Sequence, residues 1–286
     1  MSQRLFVAAA VMALGVVAAA APVLADERLA IFDTHLHYSQ DAWATYGPEA
    51  IVETLETANV VRALVSSTPD DGTLKLYRHD PARFVPILRP YRAGVGSSIW
   101  HWDAETPAYL AKRLAHGVHR GIGEFHLFDD AAARTPVVRQ VAAMAVARGI
   151  MLHVHSGAGP VRVLFEIEPG LTILWAHAGM SAPPVEIGAL LERYPRLIVE
   201  LSFRAGEIAP GGRLDPEWRE LFTRHPERFM IGSDTYVTPR WGFYPAIIDE
   251  HRRWLAQLPA PLAKAIAHGN ALAEFGAGEP AMAPSD

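Results

Sequence analysis

Two histidines one residue apart follow the first apolar segment after the N-terminal region. They are His35 and His37, in the stretch Phe32-Asp33-Thr34-His35-Leu36-His37. Side chains two positions apart on a β-strand point to the same face, so both imidazoles can reach one metal ion. The pair alone is a weak indication, because two solvated or core histidines produce the same spacing.

Other apolar segments also end in residues of the kinds that bind metals. Histidine ends two later segments, as His155 and His177, and a carboxylate ends two more, as Glu124 and Asp234. Imidazole nitrogens and carboxylate oxygens suit zinc, and also manganese or iron. A bound divalent ion lowers the pKa of its water to about 7, which provides hydroxide at neutral pH. The combination predicts a metal-dependent enzyme, and separate, individually satisfied polar residues are the alternative interpretation.

Eight apolar segments rich in Ile, Val, Leu and Phe must position these residues. Such segments are typical of strands buried on both faces, and amphipathic stretches lie between them. Eight alternations of strand and helix predict an α/β protein whose parallel sheet closes into a (β/α)8 TIM barrel, with the active site at the C-terminal ends of the strands. The predicted strands are Ala30–His37, Val60–Ser67, Phe84–Tyr91, Gly121–Phe128, Gly149–Ser156, Leu171–Gly179, Leu197–Phe203 and Arg228–Thr235.

The connections and the chain ends complete this organisation. Residues 26–276 form one barrel domain, and the Gly-, Ala- and Pro-rich residues 277–286 are expected to be a disordered tail. The connection from Asp70 to Pro81 has the weakest helical pattern. The clearer predicted helices are Arg134–Arg148, Val185–Tyr194, Asp215–Arg224 and Phe243–Leu258.

The first 25 residues have the pattern of a signal peptide. Arg4 is their only charge, an apolar run follows from Leu5 to Val17, and small residues precede a cleavage site after Ala25. The protein is therefore expected to be periplasmic or secreted, with no stable membrane insertion after processing. A retained membrane anchor is the alternative, although the apolar run is short for a spanning helix.

Composition limits the partners and the chemistry. The chain has no cysteine, which excludes disulfides, thiolate metal ligands and a cysteine nucleophile. It has 26 basic and 31 acidic residues and no basic stripe, so we expect a small-molecule substrate and no nucleic-acid partner. A homodimer is the default expectation for the oligomeric state.

Five segments, in order along almost the whole mature chain, resemble the amidohydrolase superfamily, and specifically amidohydrolase family 2. These metal-dependent hydrolases have TIM-barrel folds. The first three segments are Phe32–His37, His155-Ser156-Gly157 and Trp175-Ala176-His177-Ala178-Gly179. The other two are Ile231-Gly232-Ser233-Asp234 and Gly269-Asn270-Ala271.

This resemblance implies a role for each candidate residue. His35, His37 and Asp234 would bind one divalent ion, and His155 would complete the site. His177 would bind a second ion or polarise the substrate, and Asp234 would also shuttle protons. Glu124, which also resembles the strand-four ligand of TatD-type nucleases, would bridge two ions or orient a histidine. One or two ions therefore remain open, with zinc expected.

Residues that follow the strands predict the substrate contacts. Arg89, Arg204, Arg240 and Trp241 lie where substrate-binding loops are expected. Arginine suits bidentate capture of a carboxylate or phosphate, so an anionic substrate is expected. The main hypothesis is a hydrolase that cleaves a C–O or C–N bond in a lactone, ester or amide. A metal-dependent decarboxylase or hydratase is the second, and a non-enzymatic metal- or solute-binding protein the third.

Overall fold

A computed structural model describes residues 28–276, in which eight parallel strands alternate with helices along the chain. The predicted signal peptide, residues 1–25, and the predicted tail, residues 277–286, lie outside the described residues. Within residues 28–276, no helix is both long and apolar enough to cross a membrane.

The strands form two parallel sheets in chain order. One sheet is β1-β2-β3 and the other is β4-β5-β6-β7-β8. Single bridges join the sheets at both seams, between Leu88 and Ile122 and between Asp33 and Ile231. This arrangement is consistent with the predicted TIM barrel, but pairing at the two seams is too sparse for one closed ladder. The strands are β1 (Ile31–Leu36), β2 (Val60–Val65), β3 (Phe84–Pro86), β4 (Gly121–Leu127), β5 (Met151–Ser156), β6 (Ile173–Trp175), β7 (Leu197–Glu200) and β8 (Phe229–Met230).

All eight strands are shorter than predicted, and three of them end well before the predicted residue. β3 stops at Pro86, because Pro86 and the nearby Pro90 lack the N–H that a ladder requires. β6 stops at Trp175, because the chain then enters a 3-10 turn with left-handed backbone at His177. β8 stops at Met230, and Asp234 downstream is also left-handed. Three predicted site residues, Arg89, His177 and Asp234, therefore lie beyond these strands rather than on them.

The helices pack around the strands and begin at recognisable signals. In α5, the Thr135 hydroxyl accepts a hydrogen bond from the backbone N–H of Val138 and Pro136 occupies the first turn. The predicted weak helix after Asp70 is present as α2. The helices are α1 (Pro48–Thr57), α2 (Asp71–His79), α3 (Thr106–Leu114), α4 (Asp130–Ala133), α5 (Pro136–Arg148), α6 (Ala158–Ile167), α7 (Pro184–Arg193), α8 (Ala205–Ile208), α9 (Pro216–Arg224), α10 (Tyr244–Leu255), α11 (Ala260–Lys264) and α12 (Asn270–Phe275), with a π-helix at Ala265–Gly269.

A buried carboxylate holds the seam between β1 and β8. Asp33 accepts hydrogen bonds from the Ser233 N–H at 3.0 Å, the Ser233 hydroxyl at 2.6 Å and the Tyr244 hydroxyl at 2.8 Å. Burial raises the pKa of Asp33 to about 6, although these hydrogen bonds lower it. Asp33 therefore joins the first strand to the last strand and to α10, just below the candidate ligands.

His251 of α10 should make stability depend on pH. Its Nε2 donates to the Gly232 carbonyl at 3.2 Å and its Nδ1 accepts from the Trp254 indole, so the buried ring is neutral. Burial lowers its pKa to about 4, whereas an unfolded histidine titrates near 6.5. Between these values the unfolded chain binds the extra proton, so this ring decreases the free energy of unfolding by about 1.4 kcal/mol per pH unit as pH falls.

We therefore expect His251→Gln to flatten the acid limb of the stability curve. Guanidinium unfolding in EDTA at pH 7, 6, 5 and 4 measures the slope. His116→Gln, at an exposed turn, controls for removing a histidine from the denatured chain. Equal slopes in wild type and His251→Gln would contradict the assignment.

Candidate metal centre and active site

A cavity of about 490 Å³ opens at the C-terminal ends of the strands. Five of the predicted site residues line it: Arg89, Glu124, His155, His177 and Asp234. His35 and His37 are almost fully buried and contact Glu124 and Asp234 of this lining. The structure therefore brings all six predicted metal ligands together at one end of the strands, where the fold predicts an active site.

His35 and His37 point the same ring nitrogen at a common position. Their Nε2 atoms are 3.1 Å apart. The Nδ1 of His35 is 2.9 Å from a carboxylate oxygen of Glu200, and the Nδ1 of His37 is 2.5 Å from the Ser66 carbonyl. Because those acceptors require an N–H at Nδ1, Nε2 is the nitrogen of each ring that can offer its lone pair to a metal ion. The local strand irregularity between Asp33 and Leu36 helps to aim these side chains.

Two carboxylates complete a compact group of donors. Oδ1 of Asp234 lies 3.1 Å from Nε2 of His37 and 3.6 Å from Nε2 of His35. Glu124 lies 3.5 Å from Nε2 of His35 through Oε1 and 3.3 Å from Nε2 of His37 through Oε2. Donors on a tetrahedral zinc ion with bonds near 2.1 Å are about 3.4 Å apart. Single donor atoms of His35, His37 and Asp234 have about this spacing, and Glu124 lies beside them with one oxygen toward each histidine.

His177 joins this group from the opposite side. Its Nδ1 bonds the Ser202 hydroxyl at 2.7 Å, which leaves Nε2 free. That Nε2 is buried without a hydrogen-bond partner, as is Oδ1 of Asp234. Nε2 of His177 lies 3.6 Å from Oε1 of Glu124 and 3.8 Å from Oδ2 of Asp234. Unpartnered buried atoms that converge in this way fit a divalent ion, which would satisfy them.

His155 and His126 occupy the outer side of Glu124. Nδ1 of His155 is 2.8 Å from Oε1 of Glu124, and its ring stacks on His126 with centroids 4.0 Å apart and an interplanar angle of 21°. Glu124, His126 and His155 have donor atoms close enough to bind an ion. Nearly parallel stacked rings, however, cannot both direct an in-plane lone pair at one ion. A second ion would therefore need a different partner, such as His177, beside Glu124 and His155.

Glu200 is a site residue that sequence analysis missed. It is fully buried at the end of β7, and its carboxylate bonds His35, the backbone N–H groups of His177 and Ser202, and the Ser202 hydroxyl. Gly232 makes room for it, because a Cβ there would lie 2.1 Å from a Glu200 oxygen. The available signal was a single charge ending the apolar run Leu197-Ile198-Val199-Glu200.

The charges of the cluster depend on one another. Burial lowers the pKa of His35, but Asp234, Glu124 and Glu200 together outweigh it and raise the pKa well above the usual value. Burial raises the pKa of Glu200, but His35 and its hydrogen bond outweigh it and lower the pKa to about 2. The cluster therefore favours ionised carboxylates around a positive centre, which a metal ion would also provide.

The backbone that presents His177 and Asp234 is left-handed. His177, Ala178, Gly179 and Met180 have φ values of 56°, 48°, 70° and 62° in succession. Asp234 has a φ of 49°. Each non-glycine residue in this region costs about 1–2 kcal/mol, so surrounding contacts must hold it. Gly179 is required here, because a Cβ would lie 2.1 Å from the Trp175 ring.

The predicted substrate residues divide into one that lines the cavity and three that do not. Arg89 lines it, and its guanidinium is 3.1 Å from both the side chain and the carbonyl of Glu124. Arg204 is 1% exposed and donates to backbone carbonyls, and Arg240 donates to the carbonyls of Ser233 and Asp234. Trp241 is buried against Tyr244. These three side chains therefore contact the protein interior or backbone and are not among the residues that line the cavity, so their predicted contact with substrate stays a prediction.

Comparison with known proteins identifies the family. The family model for amidohydrolase (Amidohydro_2) matches residues 32–277. The chain belongs to the amidohydrolase family. The expected resemblance is thereby confirmed over most of the chain. No curated protein gives a significant match.

Several solved structures share the fold at low identity. An amidohydrolase from Burkholderia multivorans with bound zinc is 16% identical, with a TM-score of 0.59 over 86% of this chain and 99% of that chain. A protein described as a 2-pyrone-4,6-dicarboxylic acid hydrolase from Pseudomonas putida is 18% identical, with a TM-score of 0.60 over 87% and 98%. A 5-carboxyvanillate decarboxylase from Novosphingobium aromaticivorans, complexed with manganese, is 12% identical, with a TM-score of 0.56 over 87% and 96%.

The role of Glu200 leads to a prediction about metal binding. Glu200→Gln keeps the size of the side chain but removes the charge that orients His35. We expect zinc affinity to fall by about 10- to 100-fold, as for other partners of metal-binding histidines. Competition with a chromophoric chelator measures the affinity. Glu166→Gln, in an exposed ion pair with Arg134, is the control, and equal affinity in both variants would argue against this role.

Proposed function

We propose that this protein is a metal-dependent hydrolase that cleaves a C–O or C–N bond, such as that of a lactone, ester or amide, in a small anionic substrate. The observation that carries the proposal is the convergence of His35, His37 and Asp234, with Glu124 beside them, at distances that suit metal ligands and next to an open cavity. Membership in the amidohydrolase family supports it, since hydrolases and decarboxylases both occur among the structural relatives.

Zinc is the proposed ion, held by His35, His37 and Asp234 with Glu124 or His177 in the remaining position. Nitrogen and carboxylate donors suit zinc, although manganese also suits them. When bound, a divalent ion would supply Lewis acidity at the scissile carbonyl and a water that ionises near neutral pH. The relatives whose structures contain zinc or manganese support this choice of ions.

Asp234 is the proposed proton carrier. It lines the cavity, and its oxygens face both the His35–His37 pair and His177. Burial raises its pKa, but the neighbouring His35 and His37 outweigh burial and lower it. The carboxylate is therefore ionised at neutral pH and can accept the proton of the attacking water, then return it to the leaving group.

The remaining cavity wall favours a flat, carboxylated substrate. Arg89 can bind an anionic group at the side of Glu124, although part of its charge already faces that carboxylate. Phe203 and Tyr236 also line the cavity and are 46% and 55% exposed. An aromatic or unsaturated ring that carries a carboxylate would use both surfaces.

Glu124 supports the hydrolytic assignment over the alternative. Its Oε1 faces His35, His155 and His177, while Oε2 faces His37 and Arg89. A carboxylate placed between two sets of histidines could bridge two ions, which favours hydrolysis. A single ion with the aromatic wall would instead favour decarboxylation of an aromatic acid, which we retain as the second candidate. Metal analysis of wild type and Glu124→Ala tests which applies.

We also propose that the chain is exported, as its first 25 residues suggest, and that it acts on a small molecule as a homodimer. The signal-peptide pattern ending at Ala25 supports export to the periplasm or outside the cell. Residue charges, with 31 acidic against 26 basic, give no support for nucleic-acid binding.

Asp234→Asn should abolish most turnover. A panel of carboxylated lactones, esters and aromatic acids is assayed in ¹⁸O-labelled water, with CO₂ measured in parallel. Hydrolysis predicts label in the product and no CO₂, whereas decarboxylation predicts CO₂ and no label. With zinc saturating, we expect Asp234→Asn to lower kcat by about 10²- to 10⁴-fold.

The control for this measurement is Asp215→Asn, which alters the N-terminal cap of α9 and does not line the cavity. A zinc-loaded Asp234→Asn protein with wild-type kcat would exclude Asp234 as the proton carrier. A wild-type product without label, formed with CO₂, would replace the hydrolase by the decarboxylase.

Arg89→Met should separate substrates by charge. We expect KM for a carboxylated substrate to rise about 10- to 100-fold, because a hydrogen bond to a charged group is worth about 1.5–3 kcal/mol. A neutral analogue should be affected much less. Arg92→Met is the matched control, since Arg92 pairs with Asp103 and does not line the cavity. Equal losses for charged and neutral substrates would show that Arg89 acts only through Glu124.

A further inference from the structure

The turn after β6 has an unusual backbone that needs an external support. Residues 177–180 all have positive φ, and three of them, His177, Ala178 and Met180, carry side chains. L-residues visit this region singly and avoid it in runs. Two local hydrogen bonds form, from the Met180 N–H to the His177 carbonyl at 2.9 Å and from the Ser181 N–H to the Gly179 carbonyl at 2.7 Å. The Ala178 carbonyl between them needs a donor from elsewhere in the fold.

Arg204 supplies that donor. It follows β7, is 1% exposed, and donates to the carbonyls of His177 at 3.1 Å, Ala178 at 2.9 Å and Ala182 at 2.9 Å. The guanidinium also lies over the Trp218 ring at 5.1 Å, which fixes its plane. Its rigid fork of donors suits several carbonyls that converge from one side.

Arg240 makes the equivalent contact at the other left-handed site residue. Its Nε donates to the Asp234 carbonyl and its NH2 group to the Ser233 carbonyl, both at 2.7 Å. Its guanidinium lies 4.3 Å from the centroid of the Phe203 ring. Two arginines from different loops thus bind the main chain at the two left-handed positions that present candidate ligands.

We propose that Arg204 and Arg240 are positioning residues, which hold the left-handed backbone at His177 and Asp234 and thereby set the metal affinity of the site. This inference rests on the proposed function only in taking those two side chains as metal ligands. Both side chains bind the backbone next to the ligands: NH1 of Arg204 donates to the carbonyls of His177 and Ala178, and Nε and NH2 of Arg240 donate to those of Asp234 and Ser233.

The test measures zinc affinity by chelator competition in Arg204→Met and Arg240→Met, with thermal stability measured in parallel without added metal. Arg228→Met is the matched control. Arg228 also donates to main-chain carbonyls, those of Tyr194 and Leu197, but these lie before and at the start of β7, away from the cavity. We expect at least a tenfold loss of zinc affinity in each test variant and less than a twofold change in Arg228→Met.

A rescue variant separates positioning from general destabilisation. Glycine adopts positive φ freely, so Ala178→Gly relieves the turn of one strained residue. The double variant Arg204→Met/Ala178→Gly should bind zinc at least threefold more tightly than Arg204→Met alone. Lysine at 204 or 240 should restore less than arginine, because an ammonium cannot match the planar fork.

Three outcomes would overturn the inference. The first is zinc affinity in both Met variants within twofold of wild type. The second is an equal loss of affinity in Arg228→Met, and the third is no recovery with Ala178→Gly. If Arg204→Met does not fold, the zinc affinity of Arg240→Met tests the inference, because Arg240 is only half-buried and its replacement disturbs the fold less. This test does not measure turnover. A wild-type protein that binds zinc but hydrolyses none of the panel substrates would contradict the proposed reaction and leave the positioning role of the two arginines unaffected.

Discussion

Three buried carboxylates surround the His35 imidazole, and the need to compensate their negative charge constrains the structure of this end of the molecule. Glu200, Glu124 and Asp234 lie 2.9, 3.5 and 3.6 Å from ring nitrogens of His35. Ionised carboxylates removed from water are costly unless positive charge and hydrogen-bond donors surround them. A cation is therefore part of the stability of the site as well as of its chemistry, whether it is a protonated His35 or a bound metal ion.

The neighbouring structure answers this constraint with donors of several kinds. Backbone N–H groups of His177 and Ser202 meet Glu200, and the guanidinium of Arg89 meets Glu124. Such contacts require the chain after β6 and β7 to turn sharply toward the axis of the strands. The left-handed residues at these turns therefore bring hydrogen-bond donors to the buried carboxylates. Their backbone conformation is unfavourable, and the arginine contacts stabilise it.

Much of the fold and most of the ligand set could be predicted from sequence, because both depend on local patterns. Apolar runs located the eight strands, and polar residues at their ends located His35, His37, Glu124, His155, His177 and Asp234 together. Strand ends were less predictable. The stretch His177-Ala178-Gly179-Met180 shows only one glycine, and nothing local indicates that a distant arginine makes four successive positive φ values tolerable.

The same limit explains the arginines and Glu200. Position after a strand indicates that Arg204 and Arg240 lie near the site, but not that their donors turn back to the main chain rather than into the cavity. Whether Glu200 points inward depends on strand register and on the space left by Gly232, a residue that follows another strand. These features are set by tertiary contacts between segments far apart in the chain.

The aromatic contact between Phe32 and Phe275, with centroids 6.2 Å apart, has a topological consequence. It packs the first strand against the last helix, on the side of the strands opposite to the cavity. Residues 28 and 276, where the described chain begins and ends, therefore lie at the N-terminal ends of the strands. A label or tether attached at either of these two positions would start on the side away from the cavity that holds the candidate ligands.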